Sequence, residues 1–490
     1  MVTLSGGNRW CKIVTVYCSR LACTVQIHCK KAQQVHPVSA EISYISSFNF
    51  IMQREKAVHI FTSAIKAVQP ASLLQEHLSI NKDVLTICGH TISRDAVRHI
   101  YVTGAGKAAA AMGVATENIL GAAITDGILT TKYGHSLPTN IIKIREAAHP
   151  VPDEKCVAAV DETLQLLEKV TSQDIIICLI SGGASALWCD VPPAITLPEV
   201  QTTFDQLIRS GAAIHEVNTV RKHLSGIKGG QLIRHCQGAR VFSLIISDVP
   251  GDDLGVIASG PTVADASTFQ DAHAILAKYN LLEGLPQSVQ RHIEQGRSGM
   301  IADTPKPGDP LFQHTTNTII GSNKVAVAAA AKQAKAMGYH THVIPSLITG
   351  DAATEAKKLV EAAIQYKGER PACLIQGGET TVQVTGQGKG GRNQHFALTA
   401  LNELNNRKDK MLTDNITILS GGTDGTDGPT DATGAVVDQL TVTRAAAKHL
   451  DIAAYLKENN AYPFLELTGS LVITGPTQTN VMDIMIAIAQ

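Results

Sequence analysis

The chain has 490 residues, enough for two or three domains, with 44% hydrophobic and 17% charged residues and a formal net charge of −1. That balance speaks against a nucleic-acid or acidic-membrane partner. No apolar run reaches the roughly 18 residues of a membrane-spanning helix.

In chain order, residues 1–51 stand apart. Arg9, Lys12, Arg20, Lys30 and Lys31 all precede the first acid, Glu41. An acid-poor, basic start reads as a transit peptide, a disordered tail, or an over-long start before Met52. Four of the ten cysteines, Cys11, Cys18, Cys23 and Cys29, fall in this segment. No C-x-x-C pair occurs, so neither a zinc site nor a disulfide framework is expected. The expected compartment is the cytoplasm, with the mitochondrion as the alternative that a transit peptide implies.

From Glu55 the pattern becomes regular. "REKAVHIFTSAIKAV" has helical spacing. "HIYVTGAG" reads as a strand entering the helix "KAAAAMGVATENIL". "DGILTTKYGH", "SQDIIICLISGGASAL" and "GARVFSLIISDVPGDD" are further strands ending in glycine or acidic loops. Strands alternating with helices predict an α/β protein with a doubly wound parallel sheet. A Gly- and Pro-rich stretch near residues 296–315 marks a linker. Alternation then resumes through "NTIIGSN", "HTHVIPS", "ACLIQGGETTVQVTG" and "NITILSGGTDGTDG". Two domains are therefore expected, 52–300 and 315–490.

The loop "VTGAGKAAAAMG" lacks the spacing of a triphosphate-binding P-loop, since Tyr101 stands where its first glycine belongs and Ala108 replaces the metal-binding hydroxyl. Gly104, Gly106 and Ala109 do fit G-x-G-x-x-A. The acid twenty residues on, Asp126, however opens the next strand instead of closing it. What remains is Lys107 delivered to a helix start, an arrangement suited to anions. "SGGASAL" adds backbone amides and hydroxyls at Ser181, Gly182, Gly183 and Ser185. "NTVRKHLSGIKGG" adds Arg221 and Lys228, whose types suit carboxylate or phosphate. Asp248, Asp252 and Asp253 cluster after a strand, placed to hold Mg²⁺ or take a hydroxyl proton. Glu379 follows the pair Gly377 and Gly378, Arg392 opens a helix, and Asp424, Asp427 and Asp431 share one glycine loop. Together these are the components of phosphoryl transfer with Mg²⁺.

The same stretches, with "HPVPD", "GSN", "GGRNQ" and "GPTQTN", resemble the class II glycerate kinases, the glycerate 2-kinases with a C-terminal MOFRL domain. The resemblance runs from about residue 55 to the C-terminus. It implies a Rossmann-like N-terminal domain, an α/β MOFRL domain and an active site in the cleft between them. It implies ATP and Mg²⁺ as cofactors, and phosphorylation of D-glycerate at its 2-hydroxyl. By position in the motifs, Lys107, Asp248 and Arg392 take the catalytic roles, and the glycine loops with Asn323 take binding roles. Mg²⁺ falls to Asp252, Asp253 or Asp424. One departure is His395, where the family usually carries Glu. The alternatives are a hydroxypyruvate reductase and a non-catalytic metabolite- or nucleotide-binding protein. A monomer and a homodimer are both open.

Overall fold

The computed structural model describes residues 13–19, 22–28 and 38–490, with side chains from Asn49 on except 411–412. The chain forms two compact units, 1–51 and 52–490. The first contains an antiparallel hairpin, β1 (Ile13–Ser19) and β2 (Ala22–His28), in the segment expected to be a transit peptide, a disordered tail or an over-long start, and the start of helix α1 (Val38–Ala67). The side chains of Cys11, Cys18, Cys23 and Cys29 lie outside the described residues.

The second unit holds two larger sheets. After helix α2 (Pro70–His77), a small antiparallel meander of β3 (Leu78–Asn81), β4 (Val84–Ile87) and β5 (His90–Ser93) precedes the first of them. That sheet contains β6 (Ile100–Ala105), β7 (Asp126–Lys132), β8 (Ile142–Ala147), β9 (Ile175–Ile180), β10 (Arg240–Ile246) and β11 (Thr315–Gly321). Its order is β11-β10-β9-β6-β7-β8, parallel throughout. Helices cover both faces, which is why β9, Ile-Ile-Ile-Cys-Leu-Ile, is buried at every position. Counting only these six strands, the order is 3-2-1-4-5-6. The winding therefore reverses between β6 and β9, and a doubly wound sheet opens its ligand crevice beyond the carboxyl ends of such a pair.

The second sheet contains β12 (His340–Val343), β13 (Ile348–Asp351), β14 (Ala372–Thr381), β15 (Ile416–Gly422), β16 (Gly434–Val437), β17 (Leu471–Val472) and β18 (Asp483–Ala489). It is mixed: β12 and β13 run parallel to β14, and the rest pair antiparallel.

Two expectations about domain boundaries change. The strand at 315–321, expected to open the second domain, is the edge of the first sheet, paired to β10. The Pro- and Gly-rich stretch before it is a surface connection within the first layer. Conversely, the part of α1 after Met52 packs on the second sheet. Phe61 meets Gly421, and Arg54 grips Asp438 with Nε at 2.8 Å and Nη2 at 2.6 Å. One apolar core runs through Phe61, Leu419 and Ile484 of that side and Val102, Leu179 and Leu244 of the other. Local composition marks a loop but does not say which sheet the next segment joins.

Candidate active site

The first group of site residues lies at the carboxyl ends of β6, β9 and β10. Gly104 lies near the end of β6 and Gly106 just after it, each with φ above +140°. At Gly106 a side chain would collide with Ser181, so only glycine lets the two loops close on each other. The turn is then pinned from both sides. Gly106 N–H donates to Thr130 O at 3.0 Å, and Lys107 N–H donates to Gly182 O at 2.9 Å. Ala108 N–H donates to Ser181 Oγ at 3.0 Å. This fixes Lys107 ahead of helix α3 (Ala109–Leu120), with its side chain half-exposed.

Asp248 follows β10. Its carboxylate rests on Gly182, where a Cβ would strike it. Burial raises the Asp248 pKa, while the positive charge of Lys107 pulls the other way. His149 completes the group. Its imidazole and the Lys107 Cγ are the atoms nearest to Gly183, at 3.1 and 3.3 Å from the Cβ position. Burial, then Lys107, Lys132 and His135, push His149 down to about 4, so it is neutral at pH 7. Nothing in its sequence surroundings singles out His149 beyond the "HPVPD" motif.

The second group comes from the other sheet. Arg392 opens the helix Arg392–Asn406. Its Nε and Nη2 donate to Asp483 at 2.6 and 2.8 Å, and its Nη1 pairs with Glu379 at 2.8 Å. Asp483 is fully buried at the head of β18. Burial raises the pKa of both acids, and Arg392 opposes the rise at each. The N-terminal amides of the same helix are held by Asp427, which accepts from Asn393 N at 3.1 Å and Gln394 N at 2.8 Å. Burial pushes Asp427 up to about 6. Glu379 also feels the charges of Asp248 and Lys107, so the two groups are electrostatic neighbours.

The remaining sequence-derived candidates divide. Ser185 Oγ lies 3.1 Å from Ser259 Oγ at the rim of the first group. Arg221 sits on the neighbouring helix Ile214–His223. Lys228 is buried, its ammonium donating to Trp188 O. Asn323 is spent between the sheets: Nδ2 donates to Val481 O and Asp483 O, both at 2.9 Å. Gly377 and Gly378, expected in a turn, are inside β14, paired to Ile484 and Asp483 of β18. Gly377 is small because Asn323 Oδ1 lies against it.

The three carboxylates read as metal ligands are not gathered. Asp253 accepts from Gly255 N at 2.8 Å, and Asp424 accepts from Thr426 N at 3.1 Å. Among the described residues no three His, Cys, Asp or Glu side chains form a metal-holding group. Asp424 alone lies near the arginine cluster, sharing the neighbourhood of Gly422 with Asp483.

Sequence reasoning missed Asp483 as a site residue. The available signal was a single acid at the head of the apolar run "DIMIAIA", where a strand enters the core.

In this doubly wound sheet Lys107 stands at the reversal point, where ligands of such sheets bind, and Asp248 follows the adjacent strand β10. Residues 56–294 match a family described as a domain of unknown function, DUF4147, and residues 372–483 match the MOFRL family. The chain is 40% identical to the glycerate 2-kinase of Pyrococcus horikoshii, covering 89% of this chain and 97% of that protein. The crystal structure of glycerate kinase from Thermotoga maritima is similar with a TM-score of 0.78 at 36% identity, covering 90% of this chain and 100% of that one. An Agrobacterium vitis relative named putative hydroxypyruvate reductase is 38% identical, covering 78% of this chain and 85% of its own length. The chain belongs to the glycerate kinase family with a C-terminal MOFRL domain.

Proposed function

We infer that the protein transfers the γ-phosphoryl group of ATP to D-glycerate, at the 2-hydroxyl, giving 2-phosphoglycerate and ADP. The observation that carries this reading is Lys107 and Asp248 converging at Gly182 and Gly183 across the cleft from Arg392. Asp248 orients the acceptor hydroxyl and takes its proton as the new P–O bond forms. A carboxylate whose pKa is raised by burial is a better base for that task. Lys107 and the first amides of α3 bear on the charge of the transferring group. Arg392, oriented by Asp483, supplies positive charge from the opposite wall. His149 is neutral, its pKa pushed down to about 4 by burial and the Lys107 charge.

Mg²⁺ is proposed to arrive with ATP. Magnesium keeps several waters and phosphate ligands and needs only one or two protein carboxylates. Asp424 is then the candidate among the three acids, through its place beside the arginine cluster.

The reductase reading needs an acid closing the second strand of its nucleotide fold. Asp126 instead starts β7 and is paired with Lys143 at 3.6 Å and Lys169 at 3.5 Å. That places it at the sheet edge opposite Lys107. No helix among the described residues is long and apolar enough to cross a membrane. The six cysteines with described side chains are free thiols.

The test is a pair of assays on one preparation. The reading predicts D-glycerate-dependent ADP release from ATP and no oxidation of NADH by hydroxypyruvate. The reverse result overturns it.

A further inference from the structure

Four arginines that reach into this fold meet carboxylates. Arg54 pairs with Asp438, Arg145 with Glu162, Arg392 with Asp483 and Glu379, and Arg407 with Glu361 and Glu403. Arg221 does not. It is half-buried on the helix Ile214–His223, with its guanidinium 5.1 Å from the centre of the Phe204 ring. Its Nη1 reaches only Asn218 Oδ1, at 3.5 Å, a long and weak bond. The titratable group facing it is the Cys189 thiol, and burial lowers the Arg221 pKa with no acid to restore it. Withdrawing a cation from water without a partner is costly. A site that retains such a group is prepared for an anion that arrives from solution.

The position of Arg221 says which anion. Asn218 Oδ1 also accepts from Ser259 Oγ at 3.1 Å, and Ser259 lies 3.1 Å from Ser185 Oγ. Ser185 is two residues beyond Gly183, where Lys107 and His149 meet. The polar chain Arg221–Asn218–Ser259–Ser185 thus leads from the guanidinium to the edge of the phosphoryl-transfer group. A single planar cation among neutral Ser, Asn and Phe side chains matches one carboxylate, with which a guanidinium makes two parallel bonds. A polyphosphate needs several positive groups, and Lys107, the α3 amides and Arg392 lie elsewhere in the cleft.

We propose that Arg221 is the anchor for the carboxylate of the phosphoryl acceptor, joined through Asn218 and Ser259 to Ser185, and that it makes the enzyme select a hydroxy acid. This rests on the kinase reading given above. It also gives Arg221 a task separate from the chemistry: it holds one end of the acceptor so that a hydroxyl on the next carbon is presented to Asp248.

The experiment compares wild type with Arg221→Gln and Arg221→Lys in steady-state assays, varying D-glycerate and ATP separately, with thermal melting of each variant. Loss of charge-assisted bonds to a carboxylate predicts a rise in KM for D-glycerate of roughly 30-fold or more in Arg221→Gln. The KM for ATP should stay within about twofold of wild type, and Arg221→Lys should recover part of the loss. A merely structural role would lower the melting temperature and shift both KM values together. An unchanged D-glycerate KM in folded Arg221→Gln, or a joint shift of both KM values, overturns the assignment alone. A wild-type enzyme that does not phosphorylate D-glycerate overturns the kinase reading and this assignment with it.

Discussion

The two walls of the cleft are built differently. On the first sheet, Lys107 faces Asp248 without closing an ion pair, Arg221 has no acid, and His149 is neutral. On the second sheet, Arg392 is held through all three of its nitrogens by Asp483 and Glu379, and Asp427 is committed to a helix start. The first wall keeps its charges available to ligands. The second has spent its charges on one another and presents a guanidinium in a fixed orientation. On the proposed function, the unpaired charges are where ligands bind and the networked charges are what positions them.

The largest effect expected from this contrast is at Lys107. Lys107→Ala should lower turnover by about 10³-fold, since a group acting on developing charge is worth that much, with an unchanged melting temperature. A folded variant with near-normal turnover breaks the assignment. Asp483→Ala should behave in the opposite style. Removing one partner of a buried pair costs about 3 kcal/mol, so this variant should lose stability as well as activity, read by urea unfolding. A variant that loses activity alone would show that the second wall is not a positioning network.

A subtler difference lies in pH dependence. Asp427 titrates at about 6, above its ordinary 3.8, so the folded state keeps a proton that the unfolded chain has released. Its contribution to stability therefore falls as pH rises from about 4 to 6. His149 titrates at about 4, below its ordinary 6.5, so the unfolded chain takes up a proton that the folded state refuses. Its contribution rises with pH from about 4 to 6.5. The two walls oppose each other in one pH window. Relative to wild type, Asp427→Asn should gain stability as pH climbs through that window, and His149→Gln should lose it. Parallel melting curves for all three proteins would contradict both assignments.

The smallest effect sharpens the comparison from outside the cleft. Asp126→Asn should leave glycerate turnover within about twofold, because its partners Lys143 and Lys169 are exposed surface lysines. A large loss of activity would return the dinucleotide reading of the G-x-G-x-x-A turn.

What was legible in the sequence follows the same division. The strands at 100–105, 175–180 and 240–246 were readable because parallel strands buried on both faces are unbroken apolar runs. Lys107, the Ser181–Ser185 loop and Asp248 sit directly at their ends, so local pattern was enough. The arginine cluster was half legible. Arg392 and Glu379 lie in recognisable glycine motifs, but Asp483 is 91 positions from Arg392 and meets it only through the pairing of β18 with β14. Long-range pairing leaves no local trace. The exchange of segments between layers was hidden for the same reason: nothing local in "REKAVHIFTSAIKAV" says that Arg54 will find Asp438. Lys228 is read as a binding residue from its type and Asn323 from its place in the motif "GSN"; in the fold Lys228 donates to Trp188 and Asn323 to the head of β18.

The central claim is that the unpaired Lys107 and Asp248 carry phosphoryl transfer to glycerate. The most direct measurement is ³¹P NMR of the protein with ATP, Mg²⁺ and D-glycerate, run beside Lys107→Ala. A 2-phosphoglycerate signal that grows with wild type and is absent with the variant is the result predicted here. Absence of any phosphoester from wild type, or an equal signal from both proteins, would contradict it.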